Sequence, residues 1–514
     1  MNALVKTQTI ALNGLTALPV SIEVNTYNGD TSIMVGLPDN AVRESRTRVI
    51  NAIFNSKLRL SSSAFVANFA PADVRKEGTG YDLPLAVGIL ASNQYITSTL
   101  LDKCCLVGEL GLDGSLRPIR GALPIAIKAR EMGYDFLVVP QQNVHEAAVV
   151  NRIKVYGANH LLEVVDLLNG HPTIQPVEYD TRAEFYAAQS QSPYDFADVK
   201  GQEQVKRACE VAAAGGHNLI LVGSPGCGKS MMAKRIPSIL PQLTLAESLE
   251  TTQIHSIAGK IDGNTSLISQ RPFRSPHHSI STAGLIGGGR PVHPGEISLA
   301  HGGVLFLDEL AEFPTGVLQT LRQPIERGYV RIVRVDGAFT FPSRFQLLAA
   351  SNPCPCGFLG DREVPCRCSA AMVERYRSKL RGPLADRIDM MIDVTRPDPQ
   401  VIIEGAEGMS SAELRDYVVR GRAFRAWRES RMDDADAEAE ADETRSIDGV
   451  VSTFELDDAA EKCVLGLSKR THLTGRGIVR LVRIARTIAD VAESEQVTQD
   501  HVLEAAMYQG RRDQ

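Results

Sequence analysis

The sequence predicts an α/β protein built in two blocks, with a mostly helical tail behind them. Three observations carry that prediction. Apolar strand-like runs alternate with helical-period runs through the first 170 or so residues. An apolar run then leads into a glycine-rich turn and a helical continuation, "NLILVGSPGCGKSMMAKRIPSIL". Near the C-terminus, Ile478, Leu481, Val482, Ala485 and Ile488 recur at helical spacing. At 514 residues the chain is too long for one compact domain. Its hydrophobic content of 43% suffices for more than one core.

In residues 1–170, "FVANFAP", "CCLVGELGL" and "DFLVVP" read as strands, and "ESRTRVINAIFNSKL" and "LPIAIKAREMG" as helices. Residues 171–194 are polar with scattered prolines and read as a linker. A second α/β block spans 195–395, and a helical region spans 396–514. Within that region, residues 433–443 are crowded with acids among alanines and form no apolar face, so a disordered loop is expected. No apolar run reaches membrane-spanning length, and "MNALVKTQTIALNGL" lacks the core of a signal peptide. Nine cysteines without framework spacing fit a reducing cytoplasm. A net charge of −6 excludes a globally basic nucleic-acid coat but leaves room for a local basic channel.

The strongest signal is G-x-x-x-x-G-K-[ST] at residues 223–230, spelled Gly223, Ser224, Pro225, Gly226, Cys227, Gly228, Lys229 and Ser230. Its glycines let the backbone wrap a phosphate chain with N–H groups turned inward. Lys229 adds a positive charge at the β- and γ-phosphates, and the Ser230 hydroxyl can hold Mg²⁺. "GGVLFLDEL" is a buried-strand run ending in Asp308 and Glu309. Asp308 is assigned to the Mg²⁺ shell and Glu309 to the attacking water. "RFQLLAASN" ends in Asn352, an amide at the same sheet edge that helps position that water.

In this order and spacing, the phosphate loop, "LFLDE" and "AASNP" resemble the AAA+ ATPases. "RPFRSPHHSISTAGLIGGG" and "PGEISLAHGGVLFLDELAEF" resemble the magnesium-chelatase-like branch, and within it nearly the whole chain resembles the YifB/ComM family. That resemblance implies a hexameric ring hydrolysing ATP between subunits and acting in DNA branch migration during natural transformation, with recombination proteins as possible partners. It implies that Arg387, in "LRGPLADRIDM", reaches into the neighbouring subunit's site; the alternative is an ion pair to Asp386 or Asp389. It also implies that Arg476 reads the γ-phosphate from the helical lid, with Arg480 one turn on as the fallback and Arg483 solvated. A chelatase-like motor that remodels a protein partner during metal insertion stays open as the second function.

"RKEGTGYDLPLAVGIL" and "GELGLDGSLRPIRGALP" resemble the Lon-protease-like domain shared with the RadA recombination protein. In that pattern the serine falls at about Gly80 and the lysine at about Pro124, so no peptidase activity is expected. "RGYVRIVRVDGAFTFPSRF" alternates like a hairpin turning at Asp336–Gly337, and Arg331 and Arg334 are its candidate DNA contacts. Arg271 and Arg274 suggest a second basic loop. Finally, Cys354, Cys356, Cys366 and Cys368 form C-x-C, nine residues, C-x-C. Structural Zn²⁺ is the reading preferred for these four thiols, with loop packing, a disulfide or an iron–sulfur cluster left open.

Overall fold

The computed structural model describes residues 4–29, 31–97, 99–189, 193–263, 265–334, 337–361, 363–380, 384–405, 408–431 and 453–509. The predicted acidic loop therefore lies outside the described residues. No helix of the described residues is long and apolar enough to cross a membrane.

The chain opens with a hairpin that sequence reading missed, β1 (Val5–Asn13) and β2 (Thr16–Tyr27), in antiparallel register from Val5↔Val24 to Asn13↔Thr16. With β3 (Ile33–Val35) and β4 (Ala64–Ala70) it forms a sheet of order β1-β2-β4-β3. Helices α1 (Asn40–Asn55) and α2 (Asp82–Ser92) cover it, and α2 is buried throughout because ten of its eleven residues carry no charge. The exception is Asp82, whose carboxylate receives the Ser45 hydroxyl, the Arg48 guanidinium at 2.7 Å and the Leu110 N–H at 3.2 Å. Beyond it, β5 (Cys104–Leu106), β6 (Phe136–Pro140) and β7 (Lys154–Ala158) make a parallel sheet, with α3 (Ala122–Glu131) between its first two strands. Gly80 and Pro124 lie before α2 and inside α3, and neither side chain supplies a hydroxyl or an amine.

The stretch read as a linker carries a helix, α4 (Thr181–Gln189). Its polarity is confined to one side. Phe185 is buried in a core that joins Ile10, Leu123 and Val139 of the N-terminal region to Leu243 and Leu267 of the second block. Polar contacts cross the same boundary: the Ser256 hydroxyl donates to the buried Glu146, and the Gly121 N–H reaches the Ser256 carbonyl.

The second block is a wholly parallel sheet of order β9-β10-β13-β8-β14. In chain order its strands are β8 (Leu219–Gly223), β9 (Phe273–Arg274), β10 (Val304–Leu307), β13 (Gln346–Ser351) and β14 (Met390–Val394), with a hairpin of β11 (Tyr329–Arg334) and β12 (Gly337–Pro342) between β10 and β13. Strands β8, β10 and β13 are buried along their whole length, which explains why they read as continuous apolar runs rather than alternations. Four helices frame this region: α5 (Glu203–Gly215), α6 (Lys229–Ala233), α7 (Leu245–Ile257) and α8 (Ala370–Leu380). The helical region after it contains α9 (Ser411–Glu429), α10 (Asp458–Thr471), α11 (Gly475–Val491) and α12 (Gln499–Met507). It shares one core with the sheet, since Leu481, Ile484 and Ile488 sit in the same buried cluster as Leu219, Leu221 and Leu348.

Candidate nucleotide site

The site assembles at the carboxyl edge of the central strands. Strand β8 runs directly into the phosphate loop, where Gly226 (φ 80°) and Gly228 (φ 94°) take left-handed backbone that an ordinary side chain would resist. Lys229 is buried, and its ammonium donates to the Gly223 carbonyl (2.6 Å), the Ser224 carbonyl (3.0 Å) and Asn352 Oδ1 (3.3 Å). Residues 123 positions apart meet because β13 lies beside β8, with Val222 opposite Ser351. The Ser230 hydroxyl donates to Asp308 Oδ2 at 2.7 Å, which joins the two groups assigned to Mg²⁺. A hydroxyl and a carboxylate side by side are oxygen ligands of the kind Mg²⁺ takes beside phosphates. Pro225 and Gly226 form the exposed crown of the loop, and Cys227 is buried beneath it.

Glu309 follows β10 with φ 52°, a left-handed conformation that costs a non-glycine residue on the order of 1 kcal/mol. That turn leaves its carboxylate exposed, 3.4 Å from His278 Nδ1. His278 comes from the "RSPHHSIST" loop and lies against His277, with ring centroids 4.0 Å apart and the rings tilted by 35°. Sequence reading missed His278 beside Glu309. The only signal for it was the His-His pair itself, lodged in a loop rather than in a core strand.

The arginines divide. Arg387 is half-buried and pairs with Glu326, not with Asp386 or Asp389, and its Nε is buried without a hydrogen-bond partner among the described residues. Arg476 is exposed in the first turn of α11, which Thr474 caps by accepting from the Gly477 N–H. Arg480 donates to the Asp386 carbonyl at 2.9 Å, so the helix touches the segment carrying Arg387. Arg483, expected to be solvated, is half-buried instead. It lies close enough to the buried His217 to add to the effect of burial, which pushes that imidazole down to about 3. Helix α11 packs against helices α5, α9 and α12 and is buried over a wider face than its five apolar residues suggested: Arg486 and Asp490 are buried as well.

On the β11–β12 hairpin, Val330 and Ile332 face inward while Arg331 and Val333 share the exposed face, as the two-residue period requires. Arg334 is exposed too, but alternation puts it on the other face, opposite Gly337. The hairpin forms as expected, but Gly337 pairs with Arg334 at the strand end instead of lying in the turn, and Asp336 lies outside the described residues. Arg271 and Arg274 do not form a second basic loop. Arg271 is bound to the Pro241 and Gly302 carbonyls at 2.5 and 2.7 Å, and Arg274 makes a two-pronged pair with Glu296 at 2.6 and 2.8 Å. Both guanidiniums are consumed inside the fold.

The four cysteines of the 354–368 stretch converge, with all four sulfurs within 4.8 Å of one another. Cys354 is buried and lies 3.4 Å from Cys356 and 3.7 Å from Cys366, and Cys356 lies 3.6 Å from Cys366. Four thiolates at about 2.3 Å from a tetrahedral Zn²⁺ stand about 3.8 Å apart, so the donor set fits that ion.

Comparison with known proteins gives a consistent picture along the whole chain. The family model described as "Magnesium chelatase, subunit ChlI" matches residues 195–402. "Subunit ChlI of Mg-chelatase" matches residues 22–143, and "Magnesium chelatase, subunit ChlI C-terminal" matches residues 408–509. YifB of Escherichia coli is 39% identical over 504 residues, covering 97% of this chain and 96% of that protein. Competence protein ComM of Haemophilus influenzae is 38% identical over 498 residues, covering 96% and 95%.

Proposed function

The chain belongs to the YifB/ComM family of magnesium-chelatase-like AAA+ ATPases, and from that premise we propose that it is an ATP-driven hexameric DNA motor, a branch-migration helicase of recombination or natural transformation. The observation that carries the reading is the meeting of Lys229, Asn352, Ser230 and Asp308 around one phosphate loop. In this scheme Lys229 binds the β- and γ-phosphates, and Ser230 and Asp308 would hold a Mg²⁺ ion, which when bound would supply charge neutralisation at the phosphates. Glu309 and Asn352 orient the attacking water, Arg387 acts across a subunit interface and Arg476 reads the γ-phosphate from the lid. The proposed units are 1–170, the connecting segment 171–194, the ATPase core 195–395 with the cysteine insert at 354–368, and the lid 396–514. Structural zinc in the cysteine insert and a cytoplasmic location belong to the same proposal.

Two observations support DNA as the substrate: an exposed hairpin bearing Arg331, and a relative covering nearly the full chain that is called a competence protein. The family description keeps a second reading alive, a motor that remodels a protein partner during metal insertion. ATPase rate with and without single-stranded or branched DNA separates them. DNA stimulation that Arg331→Ala weakens supports the motor on DNA. A rate indifferent to DNA refutes that part of the proposal.

A further inference from the structure

The loop bearing the four cysteines does not stand apart from the nucleotide site. It lies against the crown of the phosphate loop. Asp361, five residues from Cys356 and five from Cys366, accepts a hydrogen bond from the Ser224 hydroxyl at 2.6 Å. The second oxygen of that carboxylate takes the N–H groups of Glu363 and Val364 at 2.9 and 3.0 Å, so the side chain cannot swing away without breaking its own turn. These bonds, the one from Ser224 foremost, hold Asp361 down to about 2, so it is an anion whenever the protein is at work. One residue past Cys356, Gly357 takes φ 85° and approaches Pro225 so closely that a methyl group there would stand 2.7 Å from the proline ring. Ser224 and Pro225 are thus both touched by a loop whose two ends are the paired cysteines.

From this we propose that Zn²⁺ bound by Cys354, Cys356, Cys366 and Cys368 serves as a brace on the phosphate loop, fixing the 357–365 excursion so that Gly357 and Asp361 hold Pro225 and Ser224 in the nucleotide-binding shape. Zinc loading and nucleotide affinity are therefore linked. The chemistry balances simply: each thiol gives up its proton to solvent on binding, and no electron moves. The physical reason for the linkage is entropic. A nine-residue excursion pinned at both ends by one metal samples few conformations, whereas the same loop with free thiols must be ordered by nucleotide binding itself. The inference rests on the reading of residues 223–230 as a nucleotide site and adds a regulator to it.

The test uses the full chain and a fluorescent ADP analogue as probe, so that its readout is binding rather than turnover. Zinc is counted by a metal-sensitive dye after the protein is denatured. Wild type is expected to hold about one zinc per chain, as four-thiolate stoichiometry requires. Cys366→Ser/Cys368→Ser should lose the metal and bind the probe about tenfold more weakly, equivalent to about 1.4 kcal/mol. Asp361→Ala leaves all four ligands in place; it should keep its zinc and still bind about threefold more weakly. That variant guards against a cysteine variant that fails to fold. Wild-type affinity in a zinc-free protein, or unchanged or tighter binding by zinc-loaded Asp361→Ala, overturns the brace. A zinc-loaded wild type that binds no probe instead overturns the nucleotide reading beneath it.

Discussion

Removing the carboxylate of Asp490 should loosen the helical region far more than its single charge suggests. Asp490 sits in the last turns of α11, 3.2 Å from Arg428 of α9 and 3.0 Å from Arg486, and the three side chains are 4%, 3% and 1% exposed. Charges about 4 Å apart attract by about 4 kcal/mol at an effective dielectric of about 20, and Asp490 serves two guanidiniums at once. Glu455, 3.7 Å from Arg428 and 3.5 Å from Arg486, offsets part of the loss but is itself partly in water. Arg486 also keeps the Glu495 and Ser494 carbonyls. Taking one partner from a buried pair costs about 3–5 kcal/mol. With Glu455 compensating, about 3 kcal/mol is expected for Asp490→Ala.

The chain's single tryptophan makes this measurable. Trp427 precedes Arg428 on α9, beside Phe424 and beneath Arg431, so its fluorescence reports on this region and on the core it shares with the sheet. For a unit of this size, a urea slope of about 1–2 kcal/mol/M converts the loss into a midpoint about 2 M lower. Replacing the three side chains, with Arg428→Met, Arg486→Met and Asp490→Leu together, should recover part of it, because no guanidinium is then left buried without its carboxylate, although Glu455 loses both arginines. A Trp427 transition in Asp490→Ala within about 0.5 M of wild type would refute the reasoning.

Three further outcomes are expected. Lys229→Ala should weaken nucleotide binding by about 10- to 100-fold through loss of charge-assisted hydrogen bonds, while Glu309→Gln should keep binding and lower turnover at least ~100-fold; normal turnover by Glu309→Gln shows that the base is another group. Arg387→Ala subunits should bind ATP but hydrolyse it at least ~1000-fold more slowly, and mixing them with Lys229→Ala subunits should restore part of the rate; no recovery in demonstrably mixed assemblies removes the role in trans. His217, buried with Nε2 2.8 Å from the Thr487 hydroxyl, has its folded pKa depressed to about 3 by burial and by Arg483 and Arg425. A depressed value means stability that is present above about 6.5 and lost as pH falls toward about 3; Trp427 unfolding should weaken by up to about 1.4 kcal/mol per pH unit over that range, and His217→Gln should flatten it.

What the sequence disclosed was what local pattern can carry. The phosphate loop, the strands ending at Asp308 and Asn352, and the hairpin at 329–342 each announce themselves within a dozen residues. The four cysteines were legible as a group because their spacing is short. Most of the failures share one cause, a partner far along the chain. Asp361 gave no sign of its bond to Ser224, 137 residues away, and Glu309 gave none of His278. The basic residues misled for the same reason. An arginine looks solvent-seeking in sequence, yet Arg271 ends on backbone carbonyls, Arg274 on Glu296, and Arg483 is half-buried. The β1–β2 hairpin did carry a local signal that went unread: Val20, Ile22 and Val24 alternate with Ser21, Glu23 and Asn25 along β2.

Arg387 shows how such a pairing bears on mechanism. Its guanidinium already has a carboxylate, Glu326 at the end of the helical turn before β11, and a backbone link ties the same segment to α11 through Arg480 and the Asp386 carbonyl. An arginine that serves a neighbouring subunit must therefore exchange Glu326 for phosphate oxygens. That exchange is close to neutral in charge, since one anion replaces another, so its direction is set by geometry and by how well each partner is desolvated. Glu326 is nearly half exposed and competes with water for the guanidinium, whereas a phosphate enclosed between subunits does not. In the proposed ring, the pair within the chain would be the weaker of the two arrangements, keeping Arg387 compensated until a neighbour presents nucleotide.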